Sequence, residues 1–285
     1  MVGGVPAYLE WLDPDKSLQD NIRDVVLSPG SMFTAEPRFL LYDEVREPQV
    51  YLAILKAIGS GAHSLEEIRR MSMVSKTHLP AYLSRLKELH LVERRLPATV
   101  PMPTRRTSRK GRYHLSDPYF RFFFRFLASR HDSLSFDQDE VLQQVNAGLR
   151  AFVGLTAFEE LSRTWLHQAG KQGKLPFAPE VVGSHWGASV QVDAVAINWH
   201  TRDILLGECK WGENGVNNQI VRDLIEKKTP RVLKGLPGEA GNWKTHFCIF
   251  SRARITEDAL ASLQESGGFW VSPKDFEEVL SDTSS

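Results

Sequence analysis

The chain has 285 residues, 42% of them hydrophobic and 25% charged, with a formal net charge of zero. That is the composition of a globular chain long enough for two domains, and its weak overall field leaves nucleic-acid binding to a local basic patch. The two cysteines, Cys209 and Cys248, have no paired or zinc-ligating spacing and fit a reducing cytoplasm. No apolar run approaches the roughly 20 residues of a membrane span, and the first residues lack a signal-peptide pattern.

Residues 1–47 read as a helical segment without a core of its own. Residues 17–27 (SLQDNIRDVVL) carry apolar positions at helical spacing, with Ser17 as N-cap, and break at Ser28-Pro29-Gly30. Residues 38–45 form a further short helix.

Residues 48–117 alternate in a defined order. Residues 51–58 (YLAILKAI) are an amphipathic helix closed by Gly59-Ser60-Gly61. Ser64 with Glu67 three residues later is a capping box that opens a second helix. Residues 75–90 form a third, with Leu79, Leu83, Leu86 and Leu89 on one face and Pro80 in its first turns. Residues 91–95 and 111–115 read as strands around a polar loop. Helix, helix, helix, strand, loop, strand is the order of a winged helix-turn-helix. The loop holds TRRTSRKGR, with Arg105, Arg106, Arg109, Lys110 and Arg112 and no acid. As a wing it can lie along DNA phosphates. A solvated hairpin tip or a protein-docking module is the competing reading.

Residues 118–147 are an aromatic and then acidic connecting region. YFRFFFRFL, at 119–127, can stack bases on its rings. Core packing between two domains is the favoured reading, because aromatic runs usually fill cores. Residues 148–280 alternate helix and strand: helix 155–168, strands 190–198 and 203–210 joined by a turn, helix 217–228, strand 246–251, helix 256–266 and a short strand at 269–271. This predicts an α/β layer with helices on both faces. The fold class is therefore α+β and multidomain. The tail 281–285 reads as disordered.

The chemistry concentrates in VQVDAVAIN and ILLGECKWG. Strand alternation puts Gln191, Asp193 and Val195 on one face, and Glu208 and Lys210 on one face of the next strand. A hairpin between the strands brings Asp193 near Glu208. Two converging carboxylates repel, and Mg²⁺ or Mn²⁺ relieves that repulsion. Lys210 then stabilises charge on an attacking water or a phosphoryl oxygen. The pattern is that of metal-assisted phosphodiester hydrolysis, with Asp193 and Glu208 as metal ligands. A simple Glu208–Lys210 ion pair is the bland alternative. Glu159, on the helix before the sheet, can add a third carboxylate, while Glu160, about 100° further round the helix, faces elsewhere. Gln219 can reach a phosphate, although a surface glutamine is the simpler reading.

Through Glu159, Asp193, Glu208 and Lys210 the chain resembles the PD-(D/E)XK nuclease-like superfamily. GGVPAYL, EPRFLLYDEVREPQVYLAIL, GRYHLSDPYFRFFFRF, FEEL and ILLGECKWG further resemble the C-terminal half of prokaryotic and archaeal DEXX-box ATPases of the STAND/AAA type that carry a DUF234 domain. The resemblance covers nearly the whole chain, and 111–126 and 205–211 are its most specific parts. It implies a helical lid remnant at 1–47, a winged helix at 48–117 and a nuclease-like domain at 148–280. The family's P-loop, GxxxxGK[ST], is missing, so no ATP site is expected in this chain. Gly4-Val5-Pro6 resembles the element that follows the family's nucleotide core, which implies a truncated gene, a split gene or a piece cut from a longer protein. The expected function is a DNA-interacting protein with a Mg²⁺-dependent nuclease-like domain. The alternative is a non-catalytic DNA- or protein-binding regulatory module that works with a separate P-loop ATPase.

Overall fold

The computed structural model describes residues 1–3, 5–28, 30–128 and 137–281, without the side chains of Glu36 and Arg38. Gly4, Pro29 of the expected break, residues 129–136 of the connecting region and residues 282–285 of the tail lie outside the described residues. The fold is mixed α+β and divides into two compact units. Unit 1 is Met1–Arg95 with Gly111–Leu149, and unit 2 is Leu96–Lys110 with Arg150–Ser285.

Unit 1 begins with α1 (Pro6–Glu10), which the sequence reading did not include, and α2 (Leu18–Asn21), which continues as a π-helical stretch Ile22–Val26. Ser17 caps α2 by accepting from the Asp20 amide at 3.1 Å. Helix α3 (Met32–Glu44) starts earlier than expected because Ser31 supplies an N-cap, its Oγ accepting from the Phe33 amide. Next come α4 (Pro48–Gly59), α5 (Leu65–Ser72) and α6 (Leu79–Glu88), then the antiparallel pair β1 (Val92–Arg95) and β2 (Arg112–Leu115). The capping box is complete: Glu67 N–H donates to Ser64 Oγ at 3.2 Å, and Ser64 N–H donates to Glu67 Oε2 at 2.8 Å. Helix α6 begins at Leu79 rather than 75. Started four residues earlier, it would put Pro80 inside the helix, where it lacks a donor and clashes with the preceding turn.

The aromatic segment forms α7 (Pro118–Phe122) and a π-helical stretch Phe123–Leu127. Tyr119, Phe120, Phe122, Phe123 and Phe124 are all buried. Tyr119 sits 5.1 Å from Phe33 and 5.2 Å from Tyr8, ring centre to ring centre, and its hydroxyl donates to the Phe33 carbonyl. These buried rings are not available to stack bases; they fill the core of unit 1 itself, where the sequence reading expects packing between two domains. Helix α8 (Gln138–Val153) follows.

Unit 2 contains a five-stranded sheet ordered β3-β4-β5-β6-β7. A π-helical turn Gly154–Phe158 leads into α9 (Glu159–Lys171). Then come β3 (Val181–Trp186), which the sequence reading missed, β4 (Gln191–Asn198) and β5 (Asp203–Lys210), with β3–β4 and β4–β5 antiparallel and β5 parallel to the strand that follows it in the sheet. Helix α10 (Asn218–Arg222) runs through a π-helical stretch Asp223–Lys228 into α11 (Thr229–Leu233). Strand β6 (Lys244–Ser251), α12 (Glu257–Glu265), the parallel strand β7 (Gly268–Val271) and α13 (Pro273–Leu280) complete it. One core joins Val195, Ile197, Ile204, Leu206 and Ile249 to Val221, Leu224 and Leu263. The other joins Ala194, Ala196, Leu205 and Phe250 to Trp165, Leu166 and Phe276. Both faces of the sheet are thus covered by helices, as the alternation of helix and strand predicts.

The basic loop has its own attachment within unit 2. Ala98 is buried, its amide donates to the Ser184 carbonyl at 2.8 Å, and Thr99 Oγ1 lies 2.7 Å from His185 Nδ1. The loop therefore covers the open edge of β3, which otherwise offers unpaired backbone groups.

Replacing Ser64 with Ala removes one half of the capping box. Denaturant unfolding is expected to show a loss of about 1 kcal/mol, and Ser64→Asp should retain most of the stability.

Candidate active site

Along most of their length β4 and β5 form a regular ladder, from Asn198 opposite Asp203 to Ala194 opposite Gly207. There the ladder ends. Beyond it, Glu208, Cys209 and Lys210 pair only with β6, and Gln191 and Val192 pair only with β3. The two strands diverge, and a pocket of about 510 Å³ opens there. Gly207 permits the close approach before the split: a Cβ at that position would lie 2.6 Å from Cys248 Sγ.

A β-bulge drives the divergence. Gly183 and His185 of β3, two residues apart, oppose Val195 and Val192 of β4, three residues apart. Val192 and Val195 consequently share one core. The expected strict alternation, with Gln191, Asp193 and Val195 on one face, is broken at Asp193, because the extra residue flips the face. The bulge re-aims the Asp193 carboxylate along the sheet. Its Oδ2 accepts the Cys209 amide at 3.1 Å, taking the place of a ladder carbonyl. The Asp193 carbonyl in turn accepts from Arg163 at 3.0 Å.

Glu208 is 3% exposed. Its Oε2 accepts from Lys210 Nζ at 3.1 Å and its Oε1 from Lys228 Nζ at 2.5 Å. The anticipated Glu208–Lys210 pair is thus present, joined by a lysine the sequence reading did not identify. Glu159, at the start of α9, lines the same pocket and pairs with Arg163 at 3.4 Å. Glu160 and Gln219 are not among the lining residues, and the Gln219 amide donates to Asp223 at 2.8 Å. Trp211, with its ring 5.0 Å from Phe158, and Arg150 complete the wall.

The electrostatics follow from burial and crowding. Glu159 is pushed up to about 7, by burial first and then by the neighbouring Asp193 charge. Asp193 is raised by burial and by Glu208, against the pull of the Cys209 amide. Burial pushes the Cys209 thiol well up, so it is no ready nucleophile. For Lys210, burial lowers the value, but the Glu208 charge outweighs it and the ammonium is held on. Among the described residues no group of three or more His, Cys, Asp and Glu side chains makes a ready-formed metal centre. Asp193 and Glu208 still offer the donor set of Mg²⁺, which takes one or two carboxylates and completes its shell with water and phosphate oxygens.

Of the basic residues, Arg106, Arg109 and Lys110 are exposed, and Arg105 and Arg112 are half-buried. Arg105 folds back, donating to the Pro97 and Val100 carbonyls at 3.3 Å each. Arg112 lies in β2, opposite Arg95.

Residues 123–224 match the model of DUF234, a family described as archaeal and bacterial proteins of unknown function. An uncharacterized protein of Methanocaldococcus jannaschii is 29% identical over 229 residues, covering 79% of this chain and 50% of that protein. The chain thus spans about half the length of the curated relative it matches. No solved structure matches it significantly. The DUF234 match includes Glu159, Asp193, Glu208 and Lys210 and ends just before Lys228.

Glu159 makes stability depend on pH. Its folded value, about 7, lies above the ordinary 4.5, so the native state holds the extra proton between those values. Stability then falls as pH rises through that window. Glu159→Gln is expected to flatten this fall and to raise stability at pH 8, as measured by urea unfolding at a series of pH values.

Proposed function

We propose that this chain interacts with DNA and that the pocket of unit 2 hydrolyses phosphodiesters with the help of Mg²⁺ or Mn²⁺. The observation that carries this reading is the meeting of Asp193, Glu208 and Glu159 with Lys210 where β4 and β5 part. Asp193 and Glu208 would hold the ion. When bound, it would supply Lewis-acid polarisation of a phosphoryl oxygen.

The protein's own groups divide the remaining work. Lys210 Nζ, oriented by Glu208 Oε2 and with 36% of its side chain exposed, donates to the attacking water or to a phosphoryl oxygen. Such a preoriented cation acts where negative charge grows in the transition state. Glu159 populates both protonation states near neutral pH and can take a proton from that water. Arg163 holds the Asp193 carbonyl and the Glu159 carboxylate together, so the Asp193 backbone and Glu159 are tied to α9. Exposed Arg106, Arg109 and Lys110 would contact the DNA backbone, where cations add affinity without sequence preference.

A second reading draws on the double ion pair at Glu208. Both carboxylate oxygens already have an ammonium partner. A cluster neutralised in this way suits a non-catalytic DNA- or protein-binding module that works with a separate P-loop ATPase.

Cleavage of plasmid and of linear single- and double-stranded DNA separates the two readings. With Mg²⁺ or Mn²⁺ the wild-type chain is expected to cut, and Lys210→Ala and Asp193→Ala are each expected to lose about 100-fold or more, the scale of removing one transition-state contact. Equal cleavage by all three proteins would sink the assignment. No cleavage by any of them would favour the binding module.

A further inference from the structure

Lys228 stands apart from the residues invoked so far. It ends the π-helical stretch Asp223–Lys228, 20 residues beyond Glu208. Its ammonium takes Glu208 Oε1 at 2.5 Å, while Lys210 takes Oε2. The two lysines differ in how they are held. Lys210 sits two residues along the same strand, so the pleat itself aims it at Glu208. Lys228 reaches across from another element, lines the pocket, and has 29% of its side chain exposed. Its four-carbon stem is flexible and its ammonium is a compact point charge, so it can exchange one anionic partner for another.

A divalent cation shared by Asp193 and Glu208 must compete for the Glu208 oxygens. Glu208 is almost wholly buried, and a cation placed there would repel an ammonium 2.5 Å from Oε1. Resting on the reading of Asp193 and Glu208 as a cation site, we propose that Lys228 is a displaceable counter-ion that also positions the phosphate. It gives up Glu208 Oε1 to the incoming cation, and its ammonium turns to a non-bridging oxygen of the phosphodiester. Charge balance supports the exchange. Glu159, Asp193, Glu208 and Glu213 face Arg150, Arg163, Lys210 and Lys228, so with all eight ionised the pocket and its ion-pair partners are neutral. A divalent cation and a phosphodiester together add one positive charge. The released ammonium moves onto the new anion rather than leaving the substrate's charge unpaired.

The experiment is calorimetric titration of Mn²⁺ alone into wild type, Lys228→Met, Lys228→Arg and Asp193→Ala, each checked for folding by thermal melting. Lys228→Met should tighten Mn²⁺ about tenfold, equivalent to roughly 1.4 kcal/mol of lost competition. Lys228→Arg should stay within about twofold of wild type, because the competing charge remains. Should Lys228→Met fail to fold, Lys228→Gln keeps a hydrogen-bond donor at Oε1 without the charge and should tighten binding likewise. Unchanged or weaker Mn²⁺ binding in the uncharged variant overturns the counter-ion role, and if Asp193→Ala still abolishes binding, the cation site itself survives. Absence of Mn²⁺ binding in wild type and uncharged variant alike overturns both. Binding seen only after the lysine is removed supports the competition directly.

Discussion

The constraint on which unit 2 turns is the burial of Glu208. A carboxylate that is 3% exposed survives ionised only with well-placed partners, and removing one from such a pair typically costs about 3–5 kcal/mol. Here the partners come from two places, Lys210 two residues along the same strand and Lys228 in the helical segment after α10. Ile204, Leu205 and Leu206 are fully buried just before it, each contributing roughly 1.5–3 kcal/mol relative to exposure. That apolar anchorage fixes β5 in the sheet and delivers a charged end at a defined point. The route of residues 223–228 is tied to the same demand, since the π-helical stretch brings Lys228 to Oε1.

The bulge in β4 performs a complementary task. A regular antiparallel pair would satisfy the Cys209 amide with a backbone carbonyl and would leave no opening. One extra residue lets β4 turn away, and the Asp193 carboxylate takes the vacated amide while Arg163 satisfies the freed carbonyl. The Cys209 amide and the Asp193 carbonyl thus keep partners where the ladder stops, which helps make a break in a buried sheet tolerable. The same displacement leaves Asp193 crowded against Glu208 and Glu159, and burial first, with this crowding second, raises Glu159 and Asp193.

Much of this was legible in the chain. The capping box of Ser64 and Glu67, the hairpin of β4 and β5, and the pairing of Glu208 with Lys210 follow from short-range rules of spacing. What escaped was long-range or irregular. Lys228 lies in a helical run whose period says nothing of a contact 20 residues back. The bulge is an insertion in register, and register depends on β3, a strand (VVGSHW) with no apolar alternation to announce it. Arg163 could have been found, since it follows Glu159 by four residues on a helix, the spacing at which side chains meet. Helix α13 opens with its own capping box, Ser272 with Asp275, a signal of the kind that revealed α5.

The basic loop shows how context narrows a charge pattern. Read as sequence, TRRTSRKGR offers five equivalent cations. In the fold Arg105 is committed to two carbonyls of its own loop, and Arg112 to a position in β2. The exposed charge is reduced to Arg106, Arg109 and Lys110. These three are carried by a segment pinned along the edge of β3 through Ala98 and Thr99, and the Lys110 carbonyl itself accepts from Trp186 at 2.9 Å. The loop is therefore built into the same unit as the carboxylate pocket. Its anchorage runs along β3, the strand whose register against β4 carries the bulge at Asp193, so the placement of the three cations and of that carboxylate depends on the same sheet edge.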